Sequence, residues 1–358
     1  MSPVLFQPLK VNELTLANRV VVAPMCQYSA LEGNATDWHL GHLLQLAISG
    51  AGLLMLEATA VNSIGKITHN DLSLYTDDNE SSLNKLLASL RKYSEIPIGI
   101  QISHSGRKGS AELPWVGPNI PLNISDGGWQ TVSPSAISRT LGWPEPKELT
   151  VNQIEKLKDD FKNATIRARR LNFDCIELHM AHGYLLHQFI SPISNRRSDD
   201  YGGSLQNRCR LPLEIGKEMR DVWPKDKLLG ARVTGKDWLE GGWSIEDCIF
   251  LVEELKSIGF DYVCVSSGGI LPITDLEFKP GYQVNLAREI KRQTGMITRT
   301  AGMITTLEQA TEIIETGSAD LVALGKVLIR NPRWVFEAAK NLGTFVRCPQ
   351  QYERCLNA

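Results

Sequence analysis

The sequence predicts an α/β protein folded as a (β/α)8 barrel, with a long loop excursion after the third strand. Three observations predict it. Eight short apolar runs recur along the 358 residues, and most are too uniformly apolar to have a wet face. An amphipathic stretch with helical spacing follows each run. No Gly-x-Gly-x-x-Gly turn follows the first run, which weakens the alternative of a doubly wound sheet.

Taken in order, Val20–Ala23 precedes a helix near 38–50, and Leu53–Leu56 one near 79–94. Ile98–Ile102 is followed by the excursion 103–149 and then a helix over 150–171. The remaining runs are Phe173–Leu178, Leu228–Val233, Tyr262–Val265, Met296–Ala301 and Leu321–Leu324. Their helices fall near 205–222, 245–258, 283–293, 306–316 and 332–341. Capping boxes mark several starts: Thr150 with Gln153, Ser244 with Asp247, and Thr305 with Glu308. The excursion holds Trp115, Trp129 and Trp143 among many Pro and Gly. Ordered connections of that length are often functional covers, so 103–149 is expected as a cap on one domain spanning 1–358. A small subdomain packed on the rim is the alternative.

Composition excludes several classes. A net charge of −2 calls for neither nucleic acid nor an anionic membrane. The amino terminus lacks a basic stretch followed by an apolar core, and no apolar run reaches membrane-spanning length. The seven cysteines are scattered and form no Cys-x-x-Cys, the pattern of a reduced cytoplasmic protein without structural zinc or an iron–sulfur cluster.

Chemistry in such barrels gathers at the carboxyl ends of the strands. There the sequence puts Pro24-Met25-Cys26-Gln27-Tyr28, then Glu57-Ala58-Thr59, then Gln101 and His104. The fourth strand runs into His179-Met-Ala-His182-Gly-Tyr184, and the fifth carries Arg232. The last three ends are Ser266-Ser267-Gly268-Gly269, Ala301-Gly302-Met303 and Gly325-Lys326. Glycine-rich turns leading into helix starts suit a phosphate, with Lys326 adding charge. An amide and a cation suit a flat heterocycle that takes up electrons, and flavin mononucleotide (FMN) fits. Two imidazoles can donate to one oxygen, and a phenol beside them can supply a proton. A zinc-type histidine pair, or polar residues closing the barrel, remain open readings of those six residues. Arg232 can instead pair with Glu57 or Glu177, and Arg299 can face the mouth or pair with an acid on a helix.

These residues resemble the Old Yellow Enzyme family of FMN-dependent ene-reductases. The resemblance runs from about residue 3 to the carboxyl terminus. It includes Ala23 to Tyr28, the Ile100-Gln101-x-x-His104-x-Gly106-Arg107-Lys108 run and the His179-x-x-His182-Gly183-Tyr184 run. Its most specific piece is Ser191-Pro-Ile-Ser-Asn-Arg-Arg-Ser-Asp-Asp-Tyr-Gly-Gly-Ser-Leu-Gln-Asn-Arg208. Cys26 and the ending Gln351-Tyr352-Glu353-Arg354 resemble the bacterial branch that contains xenobiotic reductase A.

The resemblance implies that Pro24, Met25, Cys26, Ala58, Gln101 and Arg232 contact the flavin ring. It implies that Gly302, Gly325 and Lys326 hold the phosphate, although the family commonly has arginine at the place of Lys326. His179 and His182 would bind the substrate oxygen, Tyr184 would donate a proton, Tyr28 would flank the substrate and Cys26 would tune the flavin. NADPH or NADH would give a hydride and leave, and an enone or enal would then be reduced in its place. The segment 343–358 would lie at an interface of a homodimer or homotetramer, with Arg354 and Tyr352 reaching a neighbouring subunit's site. A metal-dependent barrel lyase or hydrolase, and a non-catalytic phosphate-ligand binder, are the rival functions.

Overall fold

The computed structural model describes residues 3–117, 120–272 and 275–356. Residues 118 and 119 of the excursion, and 357 and 358 of the tail, lie outside the described residues. Eight parallel strands close into a barrel. They are β1 (Val20–Val22), β2 (Leu53–Ala60), β3 (Ile98–Ser103), β4 (Cys175–Met180), β5 (Leu228–Thr234), β6 (Tyr262–Ser266), β7 (Ile297–Thr300) and β8 (Leu321–Leu324). Each strand hydrogen-bonds to its sequence neighbours, and β8 closes against β1 through Val322–Val20, Ala323–Val21 and Leu324–Val22. The (β/α)8 expectation therefore holds for all eight runs. They are buried on both faces because side chains pointing inward fill the barrel and those pointing outward meet helices.

The outer helices are α1 (Asp37–Ala47), α2 (Asp77–Leu90), α3 (Val151–Arg170), α4 (Leu205–Val222), α5 (Ile245–Ile258), α6 (Val284–Thr294), α7 (Leu307–Glu315) and α8 (Trp334–Asn341). Thr150 and Ser244 cap α3 and α5 as the sequence predicts. The cap of α7 is a correction. Thr306 receives the Gln309 N–H, and the Gln309 side chain reaches back, one residue later than the Thr305–Glu308 pair. Threonine stands at both positions, so the box fits either register from sequence alone.

Two apolar clusters divide the interior. The large one packs helices against the outside of the barrel. The small one fills the amino-terminal end of the barrel with Val21, Leu53, Met55, Cys175, Leu228 and Tyr262. A hairpin of Leu9–Val11 and Leu14–Leu16 plugs that end, with Val11 and Leu16 in the same cluster. With the floor sealed, the carboxyl ends of the strands form the open mouth.

Candidate active site

The end of β4 turns sharply. His182 and Gly183 both have left-handed backbone, with φ of 60° and 72°. A Cβ on Gly183 would lie 2.0 Å from the Gly269 carbonyl oxygen, and one on Gly269 would meet the His182 backbone at 2.8 Å. The loops after β4 and β6 thus touch backbone to backbone, which only glycine permits. His187, on the short helix Leu185–Ile190, accepts the Gly183 N–H through Nδ1 at 2.7 Å. Its Nε2–H is then left to donate to Asp237 at 2.8 Å. Ser191 and the Trp243 N–H complete the Asp237 carboxylate. This buried set fixes the turn that carries the histidine pair.

His179, His182 and Tyr184 come together. The ring centroids of His179 and His182 are 5.1 Å apart, and those of His179 and Tyr184 are 5.0 Å apart, all edge to face. Burial, then the Arg232 charge, hold both imidazoles well below their usual pKa, so they are neutral at neutral pH. His179 accepts the Ala181 N–H at Nδ1, which leaves an N–H donor at Nε2. His182 Nε2 lies 2.6 Å from Ser266 Oγ. Ser266 in turn donates to Gln283 Oε1 at 2.9 Å, and the Gln283 amide is fixed by the Ala301 carbonyl. In this pattern His182 gives its proton to Ser266. Ser266 and Gln283 were not singled out for this role by the sequence, because only barrel closure brings them to His182.

Burial pushes the Tyr184 phenol well above its usual pKa, and the nearby Cys26 and Tyr28 push it further. Lys108 sits over the Tyr184 ring, 4.9 Å from its centroid, and donates to the His182 carbonyl at 2.6 Å. Burial, aided by Arg139 and Arg107, lowers its pKa to about 7. Nothing in the sequence beyond its place in the Gly106-Arg107-Lys108 run marks Lys108 as a site residue.

The other strand ends converge on the same mouth. Pro24 to Tyr28 are half-buried, and Tyr28 has a left-handed backbone (φ 50°). Its ring meets Trp115 of the excursion edge to face at 6.2 Å. The Glu57 carboxylate holds the Gln27 N–H at 2.9 Å, fixing the segment between Cys26 and Tyr28. Burial, then Glu57 and Asp71, raise the Cys26 thiol, so it stays protonated. Ala58 pairs with Gln101 across β2 and β3, where a bulge lies beside Glu57. Arg232 is the register neighbour of His179 on β5. Met25 lies against Gly325, where an added Cβ would be 3.1 Å from its sulfur. Gly302 has φ 109° and is followed by Met303, also left-handed at 50°.

Two alternatives for the cations are now decided. Among the described residues Arg232 pairs with neither Glu57 nor Glu177, and its buried Nε has no hydrogen-bond partner. Arg299 is fully buried and pairs with Glu177, an acid on strand β4 and not on a helix. Among the described residues no group of three or more His, Cys, Asp and Glu side chains is placed to hold a metal ion.

The mouth fits FMN. Arg232 offers an unpaired buried donor, Gly302 and Met303 form a left-handed turn at the end of β7, and Gly325 starts its helix without a side-chain cap. Lys326 is exposed beside it. Of the tail residues expected at a neighbouring subunit's site, Tyr352 lies under the Arg333 guanidinium, 4.6 Å from its ring centroid. Arg354 is exposed, and Arg347 before it pairs with Glu95 just ahead of β3, at the amino-terminal end of the barrel.

A family model described as the NADH:flavin oxidoreductase / NADH oxidase family matches residues 4–344. An NADPH dehydrogenase of Listeria monocytogenes is 42% identical over 352 residues, covering 98% of each chain. One from Geobacillus thermodenitrificans is 40% identical over 356 residues, covering 99% of each. Among solved structures, a complex of 2-naphthoyl-CoA reductase with 2-naphthoyl-CoA superposes with a TM-score of 0.86 at 22% identity. That match covers 94% of this chain but only 52% of the reductase, so it speaks for the fold alone.

Proposed function

Because the chain belongs to the NADH:flavin oxidoreductase / NADH oxidase family, we propose that it reduces the activated C=C bond of α,β-unsaturated carbonyl compounds in a ping-pong cycle. It is an NAD(P)H-dependent oxidoreductase that uses FMN. Bound FMN supplies hydride acceptance from the nicotinamide and hydride delivery to the alkene.

The chain's own residues do the rest. Pro24, Met25, Cys26, Ala58, Gln101 and Arg232 hold the ring, and Gly302, Gly325 and Lys326 hold the phosphate. His179 donates its Nε2–H to the carbonyl oxygen of an enone or enal, which draws electron density from the β-carbon. His182 adds a second donor from Nδ1 when Ser266 turns its hydroxyl from Gln283 toward Nε2. Tyr184 delivers a proton to the α-carbon, and the ammonium of Lys108 over its ring steadies the phenolate left behind. Tyr28 and Trp115 wall the substrate side. The nicotinamide and the enone use one mouth in turn.

The observation that carries this reading is the His179–His182–Tyr184 cluster, with a free donor and a protonated phenol on one edge of the mouth. Initial rates with NADPH and a cyclic enone, varied together under nitrogen, test it. Parallel double-reciprocal lines are expected. Converging lines, or no enone consumption, contradict it. Seven unpaired cysteines suit a reducing compartment such as the cytoplasm, and among the described residues no helix is long and apolar enough to cross a membrane. Arg354 is assigned to a neighbouring subunit's mouth in a homodimer or homotetramer.

A further inference from the structure

One layer below the mouth, Glu177 on β4 and Arg299 on β7 are fully buried and paired across the barrel interior. Glu177 accepts two further bonds, from Gln101 Nε2 at 2.7 Å and from the Tyr262 hydroxyl at 2.8 Å. The Arg299 guanidinium also lies 5.2 Å from the Tyr262 ring centroid. A buried ion pair in a barrel core adds little stability over apolar side chains of the same volume. What it can add is orientation.

Both Glu177 oxygens are met by donors, from the Gln101 amide on one and from the Tyr262 hydroxyl and the Arg299 guanidinium on the other, so the group acts here as an acceptor. The Gln101 amide therefore turns its nitrogen to Glu177, and its oxygen is the atom left over. The pyrimidine edge of a flavin has one N–H donor between two carbonyl oxygens. Arg232, with its unpaired buried Nε, supplies donors to such an edge but no acceptor. Gln101 can supply the acceptor only in the orientation that Glu177 imposes.

We propose that Glu177 and Arg299 are positioning residues for the flavin: Glu177 locks the Gln101 amide with its oxygen available to the ring, and Arg299, paired with Glu177, holds that carboxylate in place. The proposal rests on FMN binding in the mouth. The pair touches neither substrate nor reacting atoms, and it acts through Gln101.

The test measures FMN dissociation constants and flavin midpoint potentials of the holoenzyme. Glu177→Gln should weaken FMN binding about tenfold, the effect of losing one hydrogen bond to a charged group. It should also move the midpoint potential to more positive values, because a negative charge leaves the region below the ring. Gln101→Leu should weaken binding similarly. The double variant should bind no more weakly than Gln101→Leu alone, since both act through one contact. Arg299→Met should reproduce the loss, and Arg299→Lys should restore binding. If Glu177→Gln does not fold, Glu177→Gln combined with Arg299→Met removes both charges without stranding either, and the same loss is expected. Wild-type affinity in Glu177→Gln, Gln101→Leu or Arg299→Met, an unmoved potential in Glu177→Gln, or additive losses in the Glu177–Gln101 cycle, overturn the proposal even where thermal stability falls. A wild-type protein that takes up no FMN defeats the flavin reading itself and is thereby distinguished from failure of the pair.

Discussion

Two polar layers lie one above the other in the same barrel and use their hydrogen bonds differently. In the lower layer the Glu177 carboxylate accepts from Gln101, Tyr262 and Arg299, donors on three other strands, while Arg299 Nε and Nη1 beside it have no partner. The His187–Asp237 set beneath the β4 turn is filled, with Ser191 and Trp243 on the carboxylate. At the mouth, donors on more than one residue lack a partner. His179 keeps a donor at Nε2, Arg232 keeps an unpaired Nε, and Tyr184 makes ring contacts with His179 and Lys108. Filled polar groups hold a shape. Unfilled ones, in a place where burial makes that expensive, are shaped for something that arrives.

That contrast can be broken at five points, from large effect to small. Asp237→Ala leaves the His187 Nε2–H, the Ser191 hydroxyl and the Trp243 N–H without their acceptor and should destabilise the protein by about 3 kcal/mol or more, read from the denaturant midpoint. Burial alone would raise the Asp237 pKa, but His187, Ser191 and the Trp243 N–H outweigh it and hold it below the usual carboxylate range. Its stabilising effect is therefore present above the unfolded carboxylate pKa and fades as pH falls through the lower folded value. The variant's loss relative to wild type should shrink in acid.

His179→Ala should lower kcat/KM for an enone by about 10²–10³, the usual effect of one lost oxyanion donor. FMN content should be nearly intact, and an equal loss of flavin would contradict the assignment. Tyr184→Phe should slow the enone half of the cycle by about 10², within the range for a general acid, while NADPH oxidation keeps its rate. A uniform slowing of both halves would remove Tyr184 from the proton step.

Lys108→Met probes the cation over the Tyr184 ring. Lys108 has a pKa near 7 and faces Tyr184, Arg139 and Arg107. It is charged below that pH and neutral above it, so wild-type enone turnover should fall as pH rises through about 7. The methionine variant should be a few-fold slower in acid and lack that inflection. The smallest effect is expected of Arg354→Ala, which matters only where subunits share a site. An unchanged rate together with a monomer in light scattering refutes the shared site.

The barrel was legible because parallel strands buried on both faces leave uninterrupted apolar runs such as Ile98–Ile102 and Leu321–Leu324. The floor hairpin was not. Its strands Leu9–Val11 and Leu14–Leu16 have three residues each and turn at Asn12-Glu13 without glycine. The short helices Leu185–Ile190 and Lys326–Arg330 are also too brief to show a period. At the site, residues at strand ends could be collected from the sequence, since position along a strand fixes height in a barrel. Which side chains meet could not. Ser266 reaches His182 from β6, and Gln283, the residue before α6, holds Ser266 in turn. Arg299 meets Glu177 across the barrel, a contact invisible to spacing.

The account turns on one mouth serving nicotinamide and enone in succession. Rapid mixing of the holoenzyme under nitrogen tests this most directly. NADPH should bleach the visible flavin absorption, and a later addition of enone, with NADPH exhausted, should restore it at a rate no slower than turnover. Absorption that NADPH leaves unchanged, or that enone fails to restore, would contradict the account.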